Sequence, residues 1–569
     1  MAAHLGWCLA AALCIAGLAR AQTGAETSPA TGAGGGRILL VLPFDNRTGQ
    51  PSLEWIREAS AEILSSRFAS AGFAPMSRTD RMYALDHLGL PQGFHPSRAS
   101  SLKLAETLDA DAIIVGSYVT DGAGIIAEAR LVDVPHLRIS QQVTARGEMR
   151  ELISVFDSLA WQLTRQLDPG FTGSEDTFKA ASAGQRLDAF EQYIRGITEP
   201  DQAERLRHLN SAVLLSPEFS PAWMALGRED YAGQQYEQAA AAFAKVRGND
   251  ADALEAGFYR GLSLLFSGDY SRAEEAFAGV ARELPLAEVL SNRGVALARQ
   301  GKDGIPYFRQ AAASDPNVAD YHYNLAISLK RHGDTAEALT ELAQCLRLSP
   351  NDREAEAVQK AWTGVSKPRI AKTGTAKTGT AKALVAGAAD STGDSGVVGD
   401  AGEFEAEAEA DADPLERIER GFDAVAFRQV AVMLDQMQAS RLAALPPRER
   451  AQKLSEQAKE YLDRGLLLEA ERLYQLAVAA DDRVAEAHAG LAEVRERTGD
   501  ANAARDEALI SLKLMPSEEA YLEMAQLDLA ADKLDEAKQE VAQALKLAPQ
   551  SQAAQELLGQ IEAREGQKK

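Results

Sequence analysis

The sequence predicts a multidomain chain of mixed class: a small α/β domain, then two all-α solenoid arrays separated by a disordered low-complexity linker. Three observations predict it. Near the amino end, apolar runs of strand length alternate with segments of helical period. From about residue 186 onward, small and aromatic residues recur at an interval of 34. Between Thr363 and Asp413 that recurrence stops and a few residue types repeat in its place. At 569 residues the chain is too long for a single core.

The chain opens on Leu5 to Leu18, an apolar run of signal-peptide length, followed by Ala19, Arg20 and Ala21, a small-x-small cleavage signature. A cleaved signal over residues 1–21 and export of a chain beginning at Gln22 are expected; a retained anchor is the alternative, because little positive charge precedes the run. Trp7 and Leu13 stand immediately before Cys8 and Cys14, so no lipid attachment is expected. Cleavage leaves Cys345, which cannot form an internal disulfide and reads as a packing residue on a helix. Residues 22–36 form a flexible, Gly-rich leader. The formal charge of −23 disfavours nucleic acid and anionic membrane surfaces through long-range repulsion.

Residues 37–168 read as the α/β domain. Arg37 to Phe44 is a near-continuous apolar strand, and Ser52 to Ala71 is helical, with Trp55, Ile56, Ala59, Ile63, Leu64 and Phe68 on one stripe. A short strand follows near Phe73 to Met76, then a helix from Leu102 to Leu108 and a buried strand from Asp111 to Val119. Asp121 to Gly124 turn the chain into a second hairpin strand, Ile125 to Val134. A strand from Leu137 to Arg146 and a helix from Glu151 to Leu167 complete the domain. Asn46, Arg47 and Thr48 form a glycosylation acceptor triplet. This stretch resembles the TolB-like amino-terminal domain that precedes repeat arrays in bacterial envelope proteins. The carriers are Val41 to Asn46, the Leu104, Ala105, Leu108 and Ala110 stretch, the Ile113, Val115, Gly116 and Ser117 strand, and Leu131 to Asp133; Pro135 departs from the family's turn. The resemblance implies an α/β layer used in envelope assemblies, with no catalytic residues to carry over.

The first array spans residues 186–362. Gly268, Tyr270, Ala273, Phe277 and Pro285 mark one unit, and Ala239 and Phe243 lie 34 residues before Ala273 and Phe277. Gly333, Ala338, Leu342 and Pro350 continue the phase, while the unit carrying Gly294, Gly301 and Phe308 is shortened to 31 residues. Trp223, Leu226 and Gly227 open an earlier unit, and Tyr193, Gly196, Leu209, Ala212 and Pro217 a degenerate first one. These marks resemble the tetratricopeptide repeat, in which two antiparallel helices bury their apolar faces only by stacking on neighbouring units. Asp230 stands where the family has an aromatic residue, with Tyr231 beside it.

The linker, 363–413, carries KTGTAKTGTAK and then alternating acidic residues and Ala, a composition that cannot repay the entropy of ordering. Gly374 and Gly379 have phosphate-loop spacing, but Thr380 follows where Lys is needed. Residues 414–445 read as an amphipathic helix bearing Phe422, Val425, Phe427, Val430 and Leu434 and docking on the second array. That array, 447–565, is marked by Gly465, Ala470 and Tyr474, then Gly499, Ala504, Ala508 and Pro516, then Leu534, Ala537, Ala544 and Pro549, and ends in a capping helix from about Gln552 to Glu565.

No HExxH pair, Gly-x-Ser-x-Gly elbow or zinc-spaced cysteine set is present, so no catalytic residue, metal site or cofactor is expected. His322 and His332 read as helix-surface residues. First helices of such repeats line a concave face, where Met224, Arg228, Tyr231, Phe258, Leu262, Leu265, Tyr323, Ile327 and Lys330 would point into the groove. Apolar anchors mixed with Arg and Lys suit an extended or helical peptide. The alternative is that Phe258, Leu262 and Leu265 pack between helices. The family's clamp for carboxyl-terminal peptides does not transfer, since Met224, Phe258 and others occupy its positions. The expected function is an exported, non-enzymatic scaffold for protein or peptide partners in the bacterial envelope. A periplasmic chaperone-like peptide receptor and an enzyme with a site in the α/β domain near Asp45 are the alternatives.

Overall fold

In the computed structural model the described residues are 36–91, 98–248, 252–363, 414–421, 437 and 439–568. The expected signal, almost all of the leader, and the linker from 364 to 413 lie outside them. The chain divides into two compact units, residues 1–183 with 441–569, and residues 184–440.

In the unit that holds both chain ends, strands β1 (Ile38–Val41), β2 (Asp45–Asn46), β3 (Ala74–Pro75), β4 (Ala112–Asp121), β5 (Gly124–Asp133), β6 (Arg138–Ile139) and β7 (Val143–Glu148) form one sheet. Its order is β3-β1-β4-β5-β6, with β2 beside β4 and β7 beside β5. β1 pairs parallel with β3 and β4, and β4, β5 and β7 run antiparallel. The helices are α1 (Ile56–Ser70), α2 (Arg78–His87), α3 (Arg98–Thr107), α4 (Leu152–Leu167) and α5 (Glu175–Ala180). Leu40, Leu42, Ile113 and Val132 share a core with Ala84, Leu85, Leu104 and Ala105 of α2 and α3. On the other side, Phe44 meets Phe156 of α4 edge-on at 5.6 Å, and Arg67 pairs with the buried Asp157 at 2.8 Å, joining α1 to α4. Helices on both faces explain why β1 reads as an unbroken apolar run.

Three details differ from the sequence reading. The expected strand from Leu137 to Arg146 is two pieces, β6 and β7, whose registers against β5 differ by one residue; at the break the Ser140 hydroxyl accepts from the Leu131 N–H. The helix α2 was not expected, although Ser77 and Asp80 form the capping box that starts it. The segment after α4, to which the sequence reading gave no element, carries α5, capped by Ser174.

The second array consists of α17 (Pro447–Asp463), α18 (Leu467–Ala480), α19 (Ala485–Arg497), α20 (Ala501–Leu514), α21 (Glu518–Ala530), α22 (Leu534–Leu547) and α23 (Gln552–Lys568). It docks on the α/β domain through α18. Gln475 donates to the Thr172 carbonyl at 3.2 Å, Glu471 accepts from the Ser174 N–H at 3.4 Å, and Glu471, fully buried, also pairs with Arg495 at 2.6 Å.

The other unit stacks α6 (Leu187–Thr198), α7 (Gln202–Leu215), α8 (Ser220–Ala232), α9 (Tyr236–Phe243), α10 (Ala253–Ser267), α11 (Tyr270–Glu283), α12 (Ala287–Arg299), α13 (Ile305–Ser314), α14 (Ala319–His332), α15 (Thr335–Leu348) and α16 (Arg353–Thr363). Its period has a direct steric cause. A Cβ on Gly227, Gly261 or Gly294 would come within 2.7, 2.6 and 2.7 Å of the Phe243, Phe277 and Phe308 rings, so each first helix keeps a bare backbone where the second helix inserts its aromatic. The shortened unit keeps this contact. Gly268 and Gly333 end α10 and α14 in the left-handed region, at φ +84° and +96°.

Residues 414–421 depart from expectation. They are extended rather than helical, and they lie on the first array. Of the expected amphipathic helix, residues 422–436 lie outside the described residues.

Candidate functional site

The site is the inner face of α12 and α14. The sixth residue of each helix is an asparagine, Asn292 and Asn324, both with no exposed surface. A buried carboxamide needs partners for its donors and its acceptor. Here they are backbone groups of the extended segment. Asn324 Nδ2 donates to the Arg417 carbonyl at 2.8 Å and its Oδ1 accepts from the Arg417 N–H at 2.6 Å. Asn292 does the same to Glu419, at 2.8 and 2.9 Å. The Ser291 hydroxyl accepts a further bond from Asn324 at 3.1 Å, fixing the amide's orientation. In an extended chain alternate residues present their backbone groups to the same side, about 7 Å apart, and helices in contact lie about 8–10 Å apart. Two asparagines on successive first helices therefore match every second residue of a strand.

The side chains of the segment are held individually. Glu416, 2% exposed, pairs with Arg331 of α14 and lies 3.6 Å from the Arg299 guanidinium of α12. Arg299 and Arg331 also donate to the Glu416 and Pro414 carbonyls. Arg417 projects the other way into an acidic set, at 2.7 Å from Asp320, 2.7 Å from Asp352 and 2.8 Å from Glu354, with its guanidinium 3.8 Å over the Tyr323 ring. Hydrogen bonds from Arg417 hold the Asp352 carboxyl below its usual range despite its partial burial. Ile418 packs against the core of the array, and Arg420 lies 5.1 Å over the Phe266 ring. Burial, with the charges of Asp320 and Glu288 adding to it, pushes the Glu419 carboxyl up.

Of the residues expected to line the groove, Tyr323 lies under Arg417 of the segment, and Tyr231, within the field of Arg420, packs against the Phe266 ring that Arg420 covers. Phe258, Leu262 and Leu265 are core residues between helices, the alternative the sequence left open, and Met224 and Ile327 are buried in core clusters as well. Tyr231 stacks edge-on with Tyr236 and Tyr259, Arg228 pairs with Glu255 at 2.6 Å, and Lys330 lies over Trp362. The sequence reading missed Asn292, Asn324, Arg299 and Arg331. The signal was present as two Asn–Arg pairs at the same seven-residue spacing, 32 residues apart.

His322 is not a surface residue. It is 8% exposed, and its Nδ1 is 2.6 Å from Glu341 while Nε2 is 3.1 Å from the Pro316 carbonyl. His488 repeats the arrangement with Glu507 and the Asp482 carbonyl, at 2.6 and 3.0 Å. Cys345 is a free, buried packing residue whose thiol is pushed up to about 11 by burial and by Asp352. Among the described residues no group of three or more His, Cys, Asp or Glu is arranged to hold a metal ion, and no helix is long and apolar enough to cross a membrane.

Two forms of the tetratricopeptide repeat family match this chain, one over residues 319–352, the other over 224–287, 260–303, 455–517 and 522–569. The matched stretches in both arrays are tetratricopeptide repeats. Among solved structures, the chain is similar to YrrB, described as a tetratricopeptide protein with an unusual peptide-binding site, at 18% identity and a TM-score of 0.29, covering 32% of this chain and 96% of that one. It is similar to the first tetratricopeptide unit of Spaghetti bound to an HSP90 peptide, at 24% identity and a TM-score of 0.20, over 21% of this chain and 95% of the other. It is also similar to the LpoB carboxyl-terminal domain from Salmonella enterica, at 21% identity and a TM-score of 0.19, over 21% and 88%. No curated protein matches the chain.

Proposed function

We propose that the chain is a non-catalytic scaffold whose first tetratricopeptide array binds an extended segment of a protein partner between Asn292 and Asn324, and that it acts after export to the bacterial envelope. The observation that carries this reading is the paired amide contact to Arg417 and Glu419, made through both N–H and C=O of each residue. Each such bond contributes about 0.5–1.5 kcal/mol, and leaving a buried carboxamide without partners costs more. Backbone pairing accepts any residue but proline at the two gripped positions; the flanking Arg and acidic groups then select among sequences.

That division of labour favours a selective adaptor over a chaperone-like receptor for unfolded chains. A receptor of that kind offers adaptable apolar surface, whereas this groove reads charge at three side chains, Glu416, Arg417 and, through Phe266, Arg420. Export is supported by the Leu5 to Leu18 run with Ala19 and Ala21, and use in an envelope assembly by the TolB-like resemblance of the α/β domain.

The test is cross-linking and capture from an envelope extract with the parent chain and with Asn292→Ala plus Asn324→Ala. Partners held by the parent should be lost by the variant, and equal capture by both would sink the groove reading. Amino-terminal sequencing should find Gln22 first; an intact Met1 would make the protein an anchored one.

A further inference from the structure

The side chains of Glu416, Arg417 and Ile418 are matched to the groove as their backbone is. Glu416 is enclosed by Arg299 and Arg331, Arg417 by three carboxylates and the Tyr323 ring, and Ile418 packs on the array's core. Opposite charges on adjacent residues, each directed to its own oppositely charged set, define both register and direction: reversing the segment or sliding it by one residue would place Glu416 among Asp320, Asp352 and Glu354 or Arg417 against Arg299 and Arg331. Like-charge contacts of that kind are how recognition surfaces reject wrong partners.

We propose that the partner of the first array is an extended peptide carrying the pattern acid–Arg–apolar, and that residues 416–419 are a copy of that ligand, tethered within the same chain, which occupies the groove until the partner displaces it. The inference rests on the peptide-binding reading of the groove. Fifty residues, 364–413, join the segment to the end of the array. A ligand tethered at this length is present at an effective concentration on the order of a millimolar or below. It therefore holds a groove of micromolar affinity mostly filled, and the apparent affinity for a free peptide falls by the fraction of grooves left open. A partner succeeds by being bound more tightly than the segment or by being multivalent, so the chain engages strong ligands and ignores weak ones.

The test uses the full-length chain and a synthetic peptide covering Pro414 to Gly421. Its affinity is measured by fluorescence anisotropy for the parent and for a chain carrying Glu416→Lys and Arg417→Glu, changes that leave the array itself intact. The segment-silenced chain should bind the peptide about ten- to a hundredfold more tightly than the parent. A peptide with the Glu and Arg residues exchanged should bind it at least tenfold more weakly than the native peptide. Measurable binding of equal strength to both chains would overturn the tethered competitor and leave the groove reading standing. Equal binding of the native and exchanged peptides would overturn the pattern. Failure of both chains to bind, with both melting normally, would overturn the groove reading together with the inference. Sedimentation of the parent as a dimer that the silenced chain does not form would show the segment seated in a second copy, and would overturn occupancy within one chain.

Discussion

Where α12 and α14 of the first array carry Asn292 and Asn324 at their sixth residue, α19 and α21 of the second carry Gly490 and Glu523 at theirs. Around that position α14 and α19 are otherwise alike. His322–Glu341 and His488–Glu507 brace successive helices at the same 2.6 Å, and an arginine stands seven residues after Asn324 and after Gly490. The arginines are used differently: Arg331 binds Glu416 of the seated segment, while Arg497 donates to the Leu462 carbonyl and pairs with Glu493 within its own array. One scaffold thus presents two different inner faces, because the residues that stack the helices are distinct from those that face the groove. The first array offers neutral amides that pair with backbone. The second offers a carboxyl group, 6% exposed, with one oxygen lacking a partner, and its own helix α18 is committed to the α/β domain.

The largest expected effect breaks the comparison outright. Asn292→Ala with Asn324→Ala removes four backbone bonds and should weaken peptide binding by about thirtyfold or more, at about 0.5–1.5 kcal/mol per bond, in anisotropy on the segment-silenced chain. Next comes a test of whether the arrays are independent. Ala273 has no exposed surface, so Ala273→Leu overpacks the α10–α11 pair and should cost about 1–3 kcal/mol. Hydrogen exchange should show the loss in the first array, with the α/β domain and second array unchanged.

A smaller effect sharpens the difference between the inner faces. Burial raises the Glu523 carboxyl from 4.5 to about 8, with the charges of Glu496 and Glu493 adding to it and Arg497 opposing. Between those values the folded state keeps a proton that the unfolded chain has released, so the contribution to stability is full at low pH and is lost as pH rises through the folded value. The melting temperature of the unit containing the second array should fall as pH rises from 4.5 to 8, and Glu523→Gln should flatten that dependence. A profile unchanged by the substitution would contradict the assignment. The smallest effect concerns Arg228, 47% exposed and paired with Glu255 outside the contacts to the segment. Arg228→Glu should cost under about 1 kcal/mol and leave peptide affinity within twofold; a large loss would extend the groove to α8.

The repeats were legible because sterics impose them: a glycine must face each of Phe243, Phe277 and Phe308, and that contact sets the period. The sheet was legible from apolar runs enclosed by helices on both faces. The segment at 414–421 was not. Leu415 and Ile418 are three apart, a helical spacing, and the extended state is imposed by contacts with α12, α14 and α16 that no local signal reports. The site itself was missed for a related reason. Phe258, Leu262 and Leu265 form a stripe at helical spacing, which says that one face is buried without saying whether it meets a neighbour or a ligand. Asn292 and Asn324 lie inside helices rich in apolar residues, where a polar residue reads as an interruption, and only their common phase in the repeat marks them as a pair.

The proposed binding rests on the first array pairing with the backbone of every second residue in an extended segment. Methylating one backbone nitrogen at a time in the Pro414–Gly421 peptide tests it most directly, with affinity measured on the segment-silenced chain. Methylation at Arg417 or at Glu419 removes a donor bound by Asn324 or Asn292 and should weaken binding at least tenfold. Methylation at Ile418 should change it less than twofold; equal losses at all three positions, or none at any, would contradict the account.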